Sequence, residues 1–443
     1  VKNSTVENKT LNLIQEKLSA GRLPQWVKYD PEIFELEIEK IFSKTWCFLA
    51  HESELKEHGS YVTRYIGNDP ILVTRTRTGE IKAFLNSCTH RGAKLCTADY
   101  GNSKNLTCPY HGWTFNPDGE LIGVTAGNRI YGEEMVKDEW ALRPVPKLDR
   151  YAGLIFGNLD SNASSLDEYL GELKWYLDIL VSRTDGGMEV LGAPQRWVVN
   201  TNWKVTAENF CADSYHALTS HRSTVEMGIS PDFVSQAGFG YQLSLNNGHG
   251  LNLVLTPPEV EGPKYQGLPE ELWPMFERNL NPDQLQFLEN LQVHVGNCFP
   301  NLSWVSIPQS TGGDSITTFL NMRVWRPIGP DSIEICSWVM IDKEANEEYK
   351  KEASRAYIIS FGPGGTLEED DTEIWTRITE SSKAVMARNK DLSYDNVLNY
   401  LMGIDRVMPI ENFPGPGKAY PTWLLDTAIR NFWEQWLKML QEN

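Results

Sequence analysis

The spacing of apolar residues divides the chain into three stretches. Over residues 1–45 they recur every three to four positions, at Leu11, Ile14 and Leu18 and again at Ile33, Leu36 and Ile41, the spacing of one helix face. Asp30-Pro31 suits the start of the second helix, because proline is tolerated in a first turn. These helices are expected to pack on a neighbouring domain. Residues 46–160 change period: the runs TWCFLA, YVTRYI, PILVTRT, IKAFLNS, ELIGV and GLIFGNL are separated by Gly, Asn and Asp, as strands joined by tight turns are. Asn116-Pro-Asp-Gly119 reads as one such turn, and a small β domain is expected here. Residues 161–443 mix both periods. Leu166–Val181 reads as helix, Trp197–Asn200 as strand, and 238–256, 302–308, 315–326 and 332–342 as antiparallel strands. Trp423–Leu440 reads as an amphipathic helix, with Leu425, Ile429, Phe432, Trp433, Trp436 and Leu440 on one stripe.

Composition narrows the function classes. The 443 residues include 41 Lys+Arg against 59 Asp+Glu, a formal charge of −18, which disfavours nucleic acid and anionic membranes as partners. No apolar run is long enough to span a bilayer. The seven cysteines are odd in number and scattered, unlike a disulfide framework, so a reducing, cytoplasmic setting is expected.

Four of the eight histidines fall in two metal-like motifs. The first lies in the β domain: Cys88-Thr-His90 and Cys108-Pro-Tyr-His111, with 17 residues between His90 and Cys108. Each half offers one thiolate and one imidazole from a short loop. Two cysteines on one iron and two histidines on the other is the Rieske [2Fe–2S] arrangement, in which imidazole raises the potential to roughly −150 to +300 mV. Gly92 and Gly112 directly follow the two loops and let the backbone approach a cluster. A structural zinc site is the competing reading, although common zinc spacings run Cys-x-x-Cys and then His-x₃₋₅-His.

The second motif is Asn209–His221, NFCADSYHALTSH. Two imidazoles and a distant carboxylate form the facial triad of non-heme iron sites. Asp213 and His216 share a helix face, but His216 and His221 are about 140° apart on a regular α-helix. A helix end or a π-bulge is therefore expected between them. The acids Glu368-Glu369-Asp370-Asp371 follow Gly362-Pro-Gly-Gly365, and Thr366 with Glu369 reads as a capping box opening a helix. Such acids also simply complement a helix dipole, so spacing does not choose the third ligand.

Taken in order, CTHRG, CPYHGWTF, ENFCADSYHALTSH and GPGGTLEEDD resemble the large (α) subunit of Rieske non-heme iron aromatic ring-hydroxylating dioxygenases, the naphthalene and biphenyl dioxygenase group, over nearly the whole chain. The resemblance implies an α+β fold. N-terminal helices (1–45) pack on the catalytic domain, followed by a Rieske domain of two antiparallel sheets (46–160). A catalytic domain (161–443) has a large antiparallel sheet flanked by helices around an apolar pocket. It implies Cys88, His90, Cys108 and His111 as cluster ligands, and His216, His221 and Asp371 as ligands of a mononuclear Fe(II). Asp213 would bridge His216 to His111 of a neighbouring subunit, and Asn209 would lie near the iron. Phe210, Ala217, His294, Phe361 and Leu367 correspond to pocket-lining positions, while Trp203 and Tyr215 are read as packing. No arginine stands out beside these positions, which favours a neutral hydrocarbon over an aromatic acid. The resemblance further implies a terminal oxygenase that cis-dihydroxylates an aromatic ring with O2. Its electrons come from NADH through a reductase and a ferredoxin, and it assembles as α3 or α3β3. The chain shows no Gly-x-Gly-x-x-Gly after a strand. A Rieske monooxygenase, an electron carrier and a zinc-stabilised binding protein are the rival readings.

Overall fold

Ser60–Ile66 and Asp69–Arg75 pair antiparallel from Tyr61↔Thr74 to Ile66↔Asp69, so Gly67 and Asn68 alone form the turn. Gly67 adopts a positive φ of 54°, as a two-residue hairpin of this hand requires. The computed structural model describes residues 2–132, 135–230, 238–312, 316–389 and 396–442. Its chain forms two units: Phe42–Leu166, and Val1–Ile41 together with Asp167–Asn443.

Among the described residues of the first unit the strands fall into three antiparallel sheets of three, four and three strands, rather than the expected two. The extra sheet is the short meander Leu106–Thr107, Thr114–Phe115 and Leu121–Gly123, whose first hairpin carries the loop Cys108–Trp113. Asn116–Gly119 forms the expected turn, with Gly119 N–H donating to the Asn116 carbonyl at 2.9 Å. Leu72, Phe84, Leu95, Leu106, Trp113, Phe115 and Leu121 form the core beneath both metal-like loops.

The second unit is built on a nine-stranded sheet whose pairings are all antiparallel. Its long central members are Leu302–Ser310, Ile316–Gly329 and Ser332–Asp342; residue 315, the expected start of one of them, lies outside the described residues. The helix Trp203–Phe210 packs against three strands of the sheet. Asp30 caps the helix Pro31–Glu37 by accepting from the Glu32 and Ile33 amides. That helix runs on into a π-turn, Ile38–Phe42. Glu37, fully buried, accepts from the indoles of Trp203 (2.7 Å) and Trp436 (2.8 Å) and pairs with Lys204 at 2.6 Å. One carboxylate thus joins three helices, and it is buried with its charge matched and its oxygens hydrogen-bonded.

Three boundaries differ from expectation. Leu166–Val181 is two helices, Leu166–Leu170 and Leu173–Val181, because Gly171 turns out of the helix at φ +46°. The C-terminal helix is Thr427–Gln441, so Trp423 and Leu425 precede it although both are buried. The helix after the glycine loop does start at Thr366, but Gly365 is its N-cap and no side chain caps it. The Thr366 hydroxyl instead points back toward the Ile359 carbonyl at 3.5 Å.

Candidate metal centres

The two loops of the first unit repeat one backbone pattern. Cys88 N–H donates to Ala93 O (2.8 Å) and Gly92 N–H to Cys88 O (2.8 Å). In the second loop Cys108 N–H donates to Trp113 O (2.7 Å) and Gly112 N–H to Cys108 O (3.0 Å). Each turn closes on a glycine of positive φ, +76° at Gly92 and +71° at Gly112, a conformation that β-carbon-bearing residues adopt only at a cost. Both cysteines are buried. Burial, with the Cys108 thiol beside it, pushes the Cys88 thiol up, while the amides of His90 and Arg91, aimed at its sulfur, oppose the shift. The His90 and His111 rings meet edge to face at 4.7 Å, and His90 stacks on Trp113 at 4.7 Å. Nδ1 of His90 is buried without a hydrogen-bond partner, as a ring nitrogen reserved for a metal would be. Two thiols, two imidazoles and amides directed at sulfur fit a [2Fe–2S] cluster.

The second centre begins where the helix Trp203–Phe210 ends. Ala212 takes a φ of +112°, a strained conformation for a residue with a β-carbon. Its carbonyl is held by the buried amides of Gln242 (3.1 Å) and Asn252 (2.9 Å). The chain then runs through a 3₁₀ turn, Ser214–His216, and a short helix, Ala217–Ser220, that ends at His221. A helix end, not a π-bulge, therefore brings the two histidines together.

Nε2 of His216 lies 3.3 Å from Nε2 of His221, and these nitrogens are 3.4 Å and 3.2 Å from Oδ1 of Asp371. Three bonds of about 2.1 Å at right angles would place donors about 3 Å apart, so this triangle fits one face of an octahedral ion. No other group of three His, Cys, Asp or Glu among the described residues converges in this way. The outer nitrogens are also occupied. Nδ1 of His216 makes a short hydrogen bond to the Asp213 carbonyl, and Nδ1 of His221 faces Asp370 Oδ2 at 3.4 Å. Both rings thus present Nε2 inward and donate outward.

The four acids after the glycine loop separate by surroundings. Glu368 is buried against Arg323 at 2.5 Å, Glu369 is exposed, Asp370 backs His221, and Asp371 faces both histidines. Burial alone would raise the Asp371 carboxyl, but His221 and His216 hold it well below the carboxylate range. Burial would lower His221, yet Asp371 and Asp370 raise it to about 9. Asp213 is pushed up to about 6 by burial, against the pull of His216 and with the help of Glu208 and Asp426. Its Oδ2 is 3.9 Å from Nδ1 of His216. The Asn209 amide is 3.2 Å from the same nitrogen, a position suited to its oxygen because that nitrogen already donates.

Beside the triad opens a mostly apolar cavity, the character of a small-molecule site. Phe210, Ala217, Phe361 and Leu367 line it with His216, His221, Asp371, Asn209 and Asp213. His294 does not. Its strand, Leu291–Cys298, turns alternate residues to opposite faces, so Val293 and Val295 face the cavity. His294 is buried away from it, with Nδ1 accepting from the Trp304 indole at 3.0 Å. Trp203 is fully buried, whereas Tyr215 is 52 % exposed and does not pack in the core. Ser214, Val254, Val305, Ile307 and Trp423 complete the wall and were not singled out from the sequence as lining it. Leu302–Gln309 is buried at every position, so alternation gave no sign of which face lines a cavity.

Comparison with known proteins agrees with this geometry. Residues 45–137 match the Rieske [2Fe-2S] domain, and residues 166–441 match the ring hydroxylating alpha subunit catalytic domain. The chain is 33% identical over 440 residues to the N,N-dimethyl phenylurea N-demethylase subunit alpha of Sphingobium sp., covering 97% of this chain and 94% of that one. It is 33% identical to a benzene 1,2-dioxygenase subunit alpha of Pseudomonas putida, covering 95% and 91%. The crystal structure of naphthalene 1,2-dioxygenase from Rhodococcus sp. bound to indole superposes with a TM-score of 0.93 at 42% identity, covering 98% of each chain.

Proposed function

From the premise that the chain belongs to the ring-hydroxylating α-subunit family with a Rieske [2Fe–2S] domain, we propose that it is a terminal oxygenase that cis-dihydroxylates a neutral aromatic hydrocarbon. The observation that carries this reading is the apolar cavity opening directly on the His216–His221–Asp371 triangle. The overall reaction consumes an arene, O2, two electrons and two protons and yields one cis-dihydrodiol.

His216, His221 and Asp371 would hold the mononuclear iron, and Cys88, His90, Cys108 and His111 the cluster. When bound, the cluster supplies electrons singly and the iron supplies the activation of O2. The chain's own side chains do the rest. One carboxylate and two imidazoles would hold the ion with three ligands only, which would leave room for reactants on the cavity side. Asp213 and Asp370 orient the two imidazoles from behind. Valines, Ile307, Phe210, Phe361 and Leu367 exclude water and fix a flat apolar substrate by shape. Among the described residues the cavity wall carries no arginine or lysine, its only basic groups being the two histidines of the triangle, which supports a hydrocarbon rather than a carboxylated arene.

Asp213 is also read as the link between His216 and His111 of a neighbouring copy, which requires a head-to-tail α3 or α3β3 assembly. Electrons would arrive from NADH through a separate reductase and a ferredoxin. Among the described residues no helix is long and apolar enough to cross a membrane; free, buried cysteines support a cytoplasmic setting.

The demethylase relative favours a second reading, single-atom insertion into a substituted aromatic. Turnover of naphthalene, biphenyl and N-methylated phenylureas under ¹⁸O2 separates the two. Two labelled atoms per ring product support dihydroxylation; a demethylated urea with no label on the ring, its methyl group released as formaldehyde, supports the alternative.

A further inference from the structure

Arg323, on the strand Ile316–Gly329, is fully buried. Its Nη1 pairs with Glu368 Oε2 at 2.5 Å, its Nη2 donates to the Phe361 carbonyl at 2.9 Å, and its Nε donates to Asn321 Oδ1 at 2.6 Å. Asn321 in turn donates to Ser337 Oγ (2.8 Å) and Trp338 O (2.9 Å), which ties the guanidinium to the sheet. The guanidinium lies 5.0 Å from the Phe361 ring and 5.4 Å from the Phe210 ring. A buried ion pair is replaceable in energy by well-packed apolar side chains, so its directional bonds are what distinguish it. Those bonds and ring contacts run to two places. Phe210 and Phe361 form part of the cavity wall. Glu368 is three residues before Asp371 on the same buried face of the helix Thr366–Lys383. The segment between them is tightly seated, since a β-carbon on Gly365 would lie 2.4 Å from the Ser360 backbone.

We infer that Arg323 is a positioning residue that couples filling of the apolar cavity to the placement of the Asp371 carboxylate. Displacement of Phe361 or Phe210 by an occupant reaches the guanidinium, and Glu368 passes it to the first turn of the metal-bearing helix. This rests on reading the triangle as the iron site and the cavity as the substrate site.

The test uses the full holoprotein with nitric oxide bound to its ferrous iron. Its electron paramagnetic resonance spectrum is recorded with and without saturating naphthalene, and the regioisomer ratio of the products of a substituted naphthalene is measured alongside. Arg323→Met/Glu368→Gln removes both charges without stranding either. Arg323→Lys keeps the charge but not the three-way fork. The wild-type spectrum is expected to shift with naphthalene. The double variant is expected to retain both metals and to bind naphthalene, but to lose the shift and broaden the regioisomer ratio. Arg323→Lys is expected to show a reduced shift. A full wild-type shift and ratio in every variant that folds would overturn the coupling alone. A wild-type spectrum indifferent to naphthalene and the other arenes of the panel would overturn the site reading and the coupling with it.

Discussion

The two candidate metal centres are built on opposite plans. The cysteine–histidine loops are local: each spans six residues, closes on its own backbone hydrogen bonds and carries its own left-handed glycine. The histidine–carboxylate triangle is assembled from a distance. Its donors come from a short broken helix and from another helix some 150 residues later, and its outer bonds come from the Asp213 backbone carbonyl and the Asp370 carboxylate. A local loop can be written into a short motif, whereas a tertiary site depends on elements that hold one another in place.

The comparison breaks first at Asp213. Asp213→Ala should retain both metals, because it supplies no donor atom, yet turnover should fall by more than about a hundredfold, the upper end of the usual loss for an outer residue. Rapid reduction of the cluster followed by slow oxidation by O2 would locate the defect in electron transfer; normal turnover would remove the proposed link.

Asp370→Asn sharpens the contrast by acting on one centre alone. Losing the charge behind His221 should weaken iron retention about 10–100-fold in a chelator competition, with the cluster's visible spectrum unchanged. The pH dependence of the same competition has a defined sign. In the metal-free site His221 is raised to about 9 by burial-resisting carboxylates, so iron must displace a proton below that pH. Apparent affinity should therefore rise with pH, by roughly tenfold per unit or more because His216 is raised as well, and level off above about 9. Correspondingly, the stability that protonated His221 gives the metal-free fold is fully present below about 6.5 and is lost as pH rises through about 9.

The glycines give the smallest effects, and they rank. Gly92→Ala meets only strain, since nothing lies closer than 3.9 Å to its β-carbon, at about 1–2 kcal/mol. Gly112→Ala adds a 2.5 Å approach to Thr125 Oγ1, the hydroxyl that donates to His111 O. Denaturant melts and cluster absorbance should show Gly112→Ala as the more damaged.

What the sequence made legible follows the same division. The cluster loops, their glycines and the strand runs around them are read from contiguous residues, because short-range spacing is what fixes them. A break between His216 and His221, either a helix end or a π-bulge, was expected from the roughly 140° mismatch of a regular helix, and only the structure chose between them. His294 was misplaced because a one-residue shift reverses which face of a strand a side chain takes; the alternation Leu291-Gln-Val-His-Val295 sets it opposite the valines. Thr366 was misread because Gly365 supplies the cap position. Arg323 escaped notice, and Asp370 could not be told from its acidic neighbours, because their meaning lies in partners far along the chain.

The most direct measurement is the iron and sulfide content of holoprotein carrying Asp371→Ala, with paramagnetic resonance of the reduced cluster. The account expects one iron fewer per chain than wild type, full sulfide and an unchanged cluster signal. Full iron retention in Asp371→Ala, or the same loss in a protein whose Asp371 is intact and only Glu369 is changed, would contradict it.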